Sequence, residues 1–399
     1  MVTFTRFLHQ YTFSHKPIVL LNYTMKKKVV FLTGTRADFG KLKSLIEILH
    51  KDARFEVHIF ATGMHMDEKY GFTVKEIELY NYPNIFKYIN HDSESMMDMT
   101  LGRTIEGFAS YIHLIKPDLI VVHGDRIEAL AGASVGALNN ILVAHIEGGE
   151  LSGTVDELIR HAVSKLSHTH FVANEDAKKR LAQMGELEAS IHVIGSPDMD
   201  VMLSESLPTL PEVKKHYDIP FDKYAISLFH PVTTEIDALL SNAENYFESI
   251  EASDLNYVVI YPNNDKGSEL IMHHIRKCQA NNKCRVFPSI RFESFLTLIR
   301  NAQFIIGNSS AGIREAPYYG VPTINVGSRQ NKRSNDPDII HTGFGENEIA
   351  ASIQKALSQT LEAKQLFGSG NSDKLFAQII NSNQFWLTSK QKTFADISK

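Results

Sequence analysis

The 399-residue chain is poor in cysteine, in basic charge and in long apolar runs. Its two cysteines, Cys278 and Cys284, show no CxxC spacing, which argues against a disulfide framework and a structural zinc site. The net charge of −5 leaves no basic excess for a nucleic acid. No apolar run approaches the roughly 18 residues that a membrane span needs. These absences predict a cytoplasmic protein that binds neither nucleic acid nor membrane.

Two ligand-binding motifs are missing as well. No G-x-G-x-x-G follows the first apolar run, which disfavours a nicotinamide dehydrogenase. His145, His161 and His168 are near one another but show no metal-ligand spacing such as H-E-x-x-H. We therefore expect neither a dinucleotide cofactor nor a bound metal.

The first 24 residues carry Arg6 and a short apolar patch from Pro17 to Leu21, but no long apolar segment and no small-residue cleavage site. A signal peptide is therefore disfavoured. Because Met25 and three lysines lead straight into an apolar run, we expect Met25 to be the natural first residue and 1–24 to be a poorly ordered extension. The alternative is an additional strand or helix packed on the surface.

Short apolar runs alternate with longer amphipathic stretches along the rest of the chain. Near-continuous apolar runs between helices are typical of parallel strands that are covered on both faces, and the alternation is the βαβ pattern. The predicted strands are Val29–Thr33, Val57–Ala61, Leu119–His123, Ile141–His145, His170–Ala173, His192–Gly195, Tyr224–His230, Tyr257–Tyr261, Arg285–Phe287, Phe304–Gly307 and Thr323–Val326.

The alternation breaks at Gly195-Ser196-Pro197, and two more prolines follow soon after. We therefore predict an α/β protein with two doubly wound Rossmann-like domains, residues 25–196 and 197–399, and a cleft between them. In such folds ligands bind beyond the carboxyl ends of the strands. A loop at Gly368–Ser372 precedes a last helix, which is a candidate to pack back on the N-terminal domain.

The most informative run is Gly307-Asn308-Ser309-Ser310-Ala311-Gly312-Ile313-Arg314-Glu315, which follows an apolar strand-like stretch. A strand that ends in glycine and two hydroxyls before a helix directs backbone N–H groups and the positive helix end at one point, which favours phosphate. Glu315, about one turn inside the helix, is placed to accept hydrogen bonds from a sugar diol. The alternative is a serine that only caps the helix.

Acidic residues follow two neighbouring predicted strands. Asp125 comes just after the strand that ends at His123, and Glu147 follows the next strand. Because parallel strands end at one edge of the sheet, both side chains should project into the cleft. Carboxylates held close repel each other, so we expect one pKa to rise and yield a proton carrier near neutral pH. The alternative is that Asp125 only caps the helix that follows it.

The helix after Glu147 adds Asp156, which could also form a plain helix pair with Arg160, four residues later. Thr154 and Glu157 fit a capping box, so we expect a structural role for Glu157.

Three other residues complete the predicted cleft. Arg36 lies in the first βα turn, where its planar guanidinium suits a diphosphate, although it could instead pair with Asp38. His230 ends the first strand of the second domain and faces the acids. Asn263, after the next strand, offers an amide to a nucleotide.

These residues lie in segments that together resemble the hydrolysing UDP-N-acetylglucosamine 2-epimerases of bacterial sialic acid synthesis, and also the epimerase half of the animal bifunctional enzyme. The segments are GTRADFGKL (34–42), TGMH (62–65), HGDRIEALAGA (123–133), HIEGGELSGTVDELIRH (145–161), KLSH (165–168), FHPVTTE (229–235), YPNNDKGS (261–268), GNSSAGIREAP (307–317) and NVGSRQNKR (325–333). Non-hydrolysing relatives usually show Pro-Glu after the first-turn Arg and Thr after Gly-Asp. Here Ala37-Asp38 and Arg126 stand at those positions, which favours the hydrolysing branch.

The resemblance implies a glycosyltransferase-B-like fold and a homo-oligomer, a dimer. It implies conversion of UDP-N-acetylglucosamine and water to N-acetylmannosamine and UDP, without a cofactor. By motif match it implies that Asp125, Glu147 and Asp156 do the acid/base work, with His230 beside the diphosphate. The residues that it implies for UDP binding are Arg36, Asn263, Ser309, Ser310, Glu315 and Arg329.

Three alternatives to this reaction remain open at the level of sequence. The nearest is the same chemistry on another nucleotide sugar, such as a 2,4-diacetamido-trideoxyhexose. A retaining glycosyltransferase would not need acids after two adjacent strands. A non-enzymatic nucleotide-sugar-binding module would explain the run from Gly307 to Glu315 but not the acids.

Overall fold

Thirteen parallel strands form two β-sheets in the computed structural model, which describes residues 26–91, 96–152, 155–263, 265–331 and 333–396. The strands are β1 Lys27–Thr33, β2 Phe55–Ala61, β3 Ile85–Lys87, β4 Leu119–His123, β5 Leu142–Ile146, β6 Thr169–Val172, β7 Ile191–Val193, β8 Ala225–Leu228, β9 Tyr257–Ile260, β10 Cys284–Phe287, β11 Ile305–Gly307, β12 Thr323–Val326 and β13 Ile340–Thr342. The prediction for residues 1–24 lies outside the described residues.

Helices connect the strands and cover both faces of each sheet. They are α1 Arg36–His50, α2 Val74–Glu78, α3 Met97–Ile115, α4 Ile127–Leu138, α5 Val155–Leu166, α6 Glu175–Gln183, α7 Asp198–Met202, α8 Leu210–His216, α9 Ile236–Ala252, α10 Ser268–Gln279, α11 Phe292–Arg300, α12 Ala311–Tyr318, α13 Glu346–Ser358, α14 Ser372–Ile380 and α15 Asn383–Trp386. Of the helices described, none is both long and apolar enough to cross a membrane.

The two sheets share one winding pattern. The first has the order β3-β2-β1-β4-β5-β6-β7 and the second the order β10-β9-β8-β11-β12-β13. In each sheet the chain therefore enters at an inner strand, β1 or β8, continues to one edge, and then returns to the middle and continues to the other edge. This confirms the predicted pair of doubly wound α/β domains. Sequence reasoning missed β3 and β13. Each has only three residues, includes an exposed position and lies at a sheet edge, so neither produces an apolar run.

The first strand shows why the apolar runs are nearly continuous. Val29 and Phe31 pack into the core on one face of the sheet, whereas Val30 and Leu32 pack into the core on the other face. All four side chains are almost fully buried. Because helices cover both faces, alternation between apolar and polar residues is lost.

The chain crosses between the two sheets at two adjacent points. The N–H of Ser196 donates to the carbonyl of Phe367 at 2.7 Å. Gly195 and Gly368 touch there with positive φ angles of 82° and 122°, and a Cβ on Gly368 would lie only 2.8 Å from the Cα of Gly195. After the second crossing, α14 packs against α1, and its Phe376 enters the first core.

Candidate active site

The carboxyl ends of both sheets face a single cleft of about 260 Å³. Every residue predicted for acid/base work or UDP binding lines it: Asp125, Glu147, Asp156, His230, Arg36, Asn263, Ser309, Ser310, Glu315 and Arg329. The fold thus brings the predicted set together from both domains, while the role of each member stays a prediction.

Glu147 is held at the tip of β5 by an unusual backbone and a set of cations. Its φ of 65° lies in the left-handed region, which non-glycine residues seldom occupy outside functional sites and turns. One carboxylate oxygen, Oε1, accepts from Arg314 Nη2 at 2.7 Å, Ser196 Oγ at 2.8 Å and Lys41 Nζ at 3.4 Å. Burial alone would raise the pKa of Glu147, but Arg314 and Lys41 hold it well below its usual range. Glu147 is therefore ionised at neutral pH.

The other oxygen of Glu147 faces His123, which sequence reasoning did not assign to the site. His123 Nε2 lies 3.3 Å from Glu147 Oε2, and Nδ1 lies 2.8 Å from Asp38 Oδ1. Burial would lower the pKa of His123, but the two carboxylates raise it to about 9. Asp38 is itself anchored by the N–H of Gly34 at 2.9 Å. The result is an imidazolium between two carboxylates. The sequence signal that could have identified His123 was its position directly before Gly124-Asp125.

Asp125 pairs with Arg160, whose guanidinium is almost fully buried. Arg160 Nη1 also donates to the carbonyl of Glu147 at 2.8 Å, so one cation joins the two strand tips. Burial would raise the pKa of Asp125, but Arg160 and other arginines hold it below its usual range. The alternative of a helix cap is not observed, because Arg126 is the N-cap of α4.

Asp156, in the first turn of α5, contacts the second domain. Its Oδ2 accepts from Arg329 Nη2 at 3.0 Å, so the alternative pair with Arg160 is wrong. Glu157 accepts from the N–H of Ser152 at 2.8 Å. Its predicted partner, Thr154, lies outside the described residues.

The expectation that repulsion raises the pKa of Asp125 or Glu147 is wrong. Both have lowered pKa values, because the effect of the neighbouring cations exceeds that of burial and of the other acids. The raised group is Glu315, which is 3% exposed and has a buried Oε2 without a hydrogen-bond partner. Burial raises the pKa of Glu315 to about 7, although Lys41 lowers it.

His230 is fixed as a neutral hydrogen-bond donor. Its backbone exchanges two bonds with the Asn308 side chain, at 2.7 and 2.8 Å, and its Nδ1 accepts from the N–H of Asn263 at 3.0 Å. Burial, Arg329 and Arg126 hold its pKa well below the usual range. The ring proton therefore lies on Nε2, so His230 can donate to a ligand oxygen but carries no charge.

The start of α12 keeps one hydroxyl available. Ser309 Oγ accepts from the N–H of Ala311 at 3.3 Å, whereas Ser310, the N-cap, makes no side-chain cap bond. The alternative that Ser310 only caps the helix is thus not observed. Gly307 is required just before, because with φ 135° a Cβ there would lie 1.8 Å from the carbonyl oxygen of Leu228.

Arg36 connects the first βα turn to both domains. Its Nη1 donates to Ser289 Oγ of the second domain at 2.6 Å, and its Nη2 pairs with Glu76 of the first at 2.5 Å. The alternative pair with Asp38 is therefore not the one that forms.

Comparison with known proteins decides the family. The profile described as UDP-N-acetylglucosamine 2-epimerase matches residues 47–381. The chain belongs to the UDP-N-acetylglucosamine 2-epimerase family. It is 50% identical over 376 residues to a UDP-N-acetylglucosamine 2-epimerase of Neisseria meningitidis serogroup B, covering 93% of this chain and all of that one. The predicted resemblance is confirmed at this level.

Two further relatives extend the comparison. A UDP-N,N'-diacetylbacillosamine 2-epimerase (hydrolyzing) of Legionella pneumophila is 33% identical, over 90% of this chain and 96% of that protein. The crystal structure of the Methanocaldococcus jannaschii UDP-GlcNAc 2-epimerase in complex with UDP-GlcNAc and UDP superposes with a TM-score of 0.75 at 25% identity, covering 88% of this chain and 99% of that one. The likeness to these epimerases confirms the two-domain fold.

Within this epimerase family fold, the cleft offers two kinds of chemistry. The first domain presents ionised carboxylates, which can accept protons. The second presents a neutral histidine donor, a helix N-terminus and Arg329, which suit a diphosphate. Among the residues that the structure describes, no three His, Cys, Asp or Glu side chains are grouped to hold a metal ion.

A larger cavity of about 420 Å³ lies beyond Glu150 and Arg333, which form part of its wall. Two of its cations pair with neighbouring acids, Arg333 with Glu150 at 3.2 Å and Lys364 with Asp336 and Asp338, and Arg180 donates to the carbonyl of Gly149 at 3.1 Å. It contains none of Asp125, Glu147 and Asp156, so the smaller cleft is the better candidate site.

Proposed function

We propose that this protein is a hydrolysing 2-epimerase that converts UDP-N-acetylglucosamine and water to N-acetylmannosamine and UDP. The observation that carries the proposal is the meeting of Asp125, Glu147 and Asp156 with His230 and the start of α12 in one cleft. The 50% identical Neisseria relative, named for this substrate, supports the choice of nucleotide sugar.

The second-domain wall, together with Arg36 of the first domain, would hold UDP. The start of α12 with Ser310, the Nε2–H of His230 and the guanidinium groups of Arg36 and Arg329 all face the cleft, where they would surround the diphosphate. These groups would also stabilise the charge that develops on UDP as it leaves, since they are already oriented before the reaction. Glu315 would accept hydrogen bonds from the ribose diol, and Asn263 would lie beside the nucleotide.

The first-domain wall would carry the protons. An ionised carboxylate removes the weakly acidic proton at C2, the C1–O bond to UDP breaks, and a C1–C2 double bond forms. Water then adds its hydroxyl to C1, while a second carboxylate takes up the proton of that water and delivers it to C2 from the opposite face. Two faces need two proton carriers, and the lowered pKa values of Asp125 and Glu147 keep both as bases at neutral pH. No hydride moves, so the scheme uses no NAD.

The hydrolysing branch and the biological setting belong to the same proposal. Ala37-Asp38 and Arg126 support the hydrolysing branch, and the Legionella relative is named as hydrolyzing. We propose a role in sialic acid and capsule synthesis, in the cytoplasm, as a homodimer.

One other substrate is favoured by a specific observation. Because the Legionella relative is named for UDP-N,N'-diacetylbacillosamine, the same reaction on a 2,4-diacetamido-trideoxyhexose is the second candidate. Measuring kcat/KM for both nucleotide sugars separates the two, and a ratio in favour of the diacetamido sugar would replace our first choice.

The decisive experiment uses UDP-N-acetylglucosamine as the only substrate, in D₂O. We expect N-acetylmannosamine with deuterium at C2, detected by mass spectrometry and proton NMR, and an equal amount of UDP. The same activity is expected in excess EDTA. Free UDP-N-acetylmannosamine as the final product would indicate a non-hydrolysing enzyme, product that retains the C2 proton would exclude the elimination, and no reaction without an acceptor would favour a glycosyltransferase.

A further inference from the structure

Arg314 is a buried cation that joins the two domains at the acid cluster. It lies on α12, in the second domain, and its side chain is 1% exposed. Its Nη1 lies 2.7 Å from Glu150 Oε1, and its Nη2 lies 2.7 Å from Glu147 Oε1 and 3.2 Å from Asp198 Oδ2. Both first-domain glutamates follow β5. Arg314 itself is not in the predicted site set.

The surroundings hold the guanidinium in one orientation. Its plane lies over the ring of Phe367, 4.6 Å from the centroid, and it donates to Ser196, which also bonds Glu147. Phe367 and Ser196 are the two residues where the chain crosses between the domains. Arg314 therefore contacts both crossings and the acid at once.

The same short helix also faces the nucleotide side of the cleft. α12 follows Ser310 directly, and Glu315, the residue after Arg314, lines the cleft. We propose that Arg314 is a positioning residue, through which the nucleotide-binding helix of the second domain holds the Glu147 carboxylate of the first domain in place for proton transfer. The inference rests on the function proposed for Glu147.

The charged groups around Glu147 predict how loss of Arg314 would change the pKa of Glu147. The charged groups that face Glu147 are Arg314 from α12, Lys41 from α1, His123 from β4, Arg160 from α5, and the carboxylates Asp125, Glu150 and Asp198. Without Arg314, these acids keep fewer cations in a buried site, so the pKa of Glu147 rises. Lysine retains the charge but lacks the planar fork that reaches several carboxylates together.

The test is Arg314→Lys, with Lys43→Met as the matched control. Lys43 forms another interdomain ion pair, 2.6 Å to Glu293, and does not line the cleft. For Arg314→Lys we expect UDP affinity within about threefold of wild type, kcat lower by about 30-fold or more, and the acid limb of the kcat–pH profile moved up by about one pH unit. Lys43→Met should leave the acid limb where it is.

A carboxyl ¹³C NMR titration of Glu147, assigned with Glu147→Gln, measures the same shift without turnover. It separates failure of this inference from failure of the proposed function, which the wild-type assay alone decides. If Arg314→Lys does not fold, the double variant Arg314→Met, Asp198→Asn is tested in its place, because it removes one positive and one negative charge together. An unchanged acid limb and an unchanged Glu147 titration, with only a lower Tm, would show a purely structural role and overturn the inference.

Discussion

The two walls of the cleft have the same strand order but opposite electrostatics. On the first wall, Asp125 and Glu147 are ionised because buried arginines and Lys41 lower their pKa values. On the second, His230 is neutral because burial and two arginines lower its pKa, whereas the pKa of Glu315 is raised because burial outweighs the cations nearby. The shared winding therefore sets where strand tips meet, whereas the chemistry of each wall depends on which side chains occupy the tips.

Glu147 and Glu315 show the difference most directly. Both are 3% exposed and both line the cleft. Glu147 has partners for both oxygens, whereas Glu315 leaves Oε2 without one. Equal burial thus produces opposite pKa shifts, and the number of cations in contact decides the sign.

The largest effect is expected from substitutions in the first wall. Asp125→Asn and Glu147→Gln should each lower kcat at least about 100-fold, the scale of a positioned acid or base, because an amide cannot accept the C2 proton. UDP affinity by calorimetry should be retained, since neither carboxylate is among the proposed UDP contacts. Near-normal turnover in either variant would remove that residue from the mechanism.

A smaller effect is expected at the diphosphate contacts, Arg36 of the first domain and Ser310 of the second. Arg36→Ala and Ser310→Ala should each weaken UDP binding by about tenfold, the loss expected when a hydrogen bond to a charged group is removed. Calorimetry with UDP measures it, with Arg54→Ala as control, because Arg54 is exposed and pairs only locally with Asp52. Unchanged affinity in both variants would move the nucleotide site elsewhere.

The third prediction uses pH to sharpen the contrast between the two glutamates. The folded pKa of Glu315 is about 7 against an ordinary value of 4.5, so ionisation favours the unfolded chain as pH rises through that range. Glu315→Gln should therefore be more stable than wild type at pH 8, by up to about 3 kcal/mol, and no more stable at pH 4.

Glu147→Gln should show the opposite sign. Its folded pKa is lowered, so its ionised form stabilises the fold at neutral pH and that stabilisation is lost on acidification. Urea unfolding of both variants at pH 4, 6 and 8 provides the comparison. The same sign for the two glutamates would contradict the electrostatic difference between the walls.

The smallest effect is expected at the N-terminus. Truncation to Met25 should leave activity and Tm essentially unchanged, because all the residues proposed for catalysis and UDP binding follow Met25. A drop of several degrees in Tm would show that residues 1–24 pack on the protein.

Local sequence was sufficient for the strands of the interior and for the site residues next to them. Apolar runs mark buried parallel strands, and the polar residues just after them, such as Asp125, Glu147 and Ser310, lie at the cleft for that reason. Short edge strands such as β13 leave no comparable pattern, since only Ile340 of its three residues is buried and the other two need not be apolar.

What only the tertiary structure decided is the charge state of those residues. Arg314 reaches Glu147 across 167 positions of sequence, and Arg160 reaches Asp125 across 35. Sequence spacing suggested repulsion between acids, because it shows which carboxylates are near one another but not which cations enter between them. A pKa in a buried site depends on all charges within a few ångströms, so it is a property of the packed cleft and of no single motif.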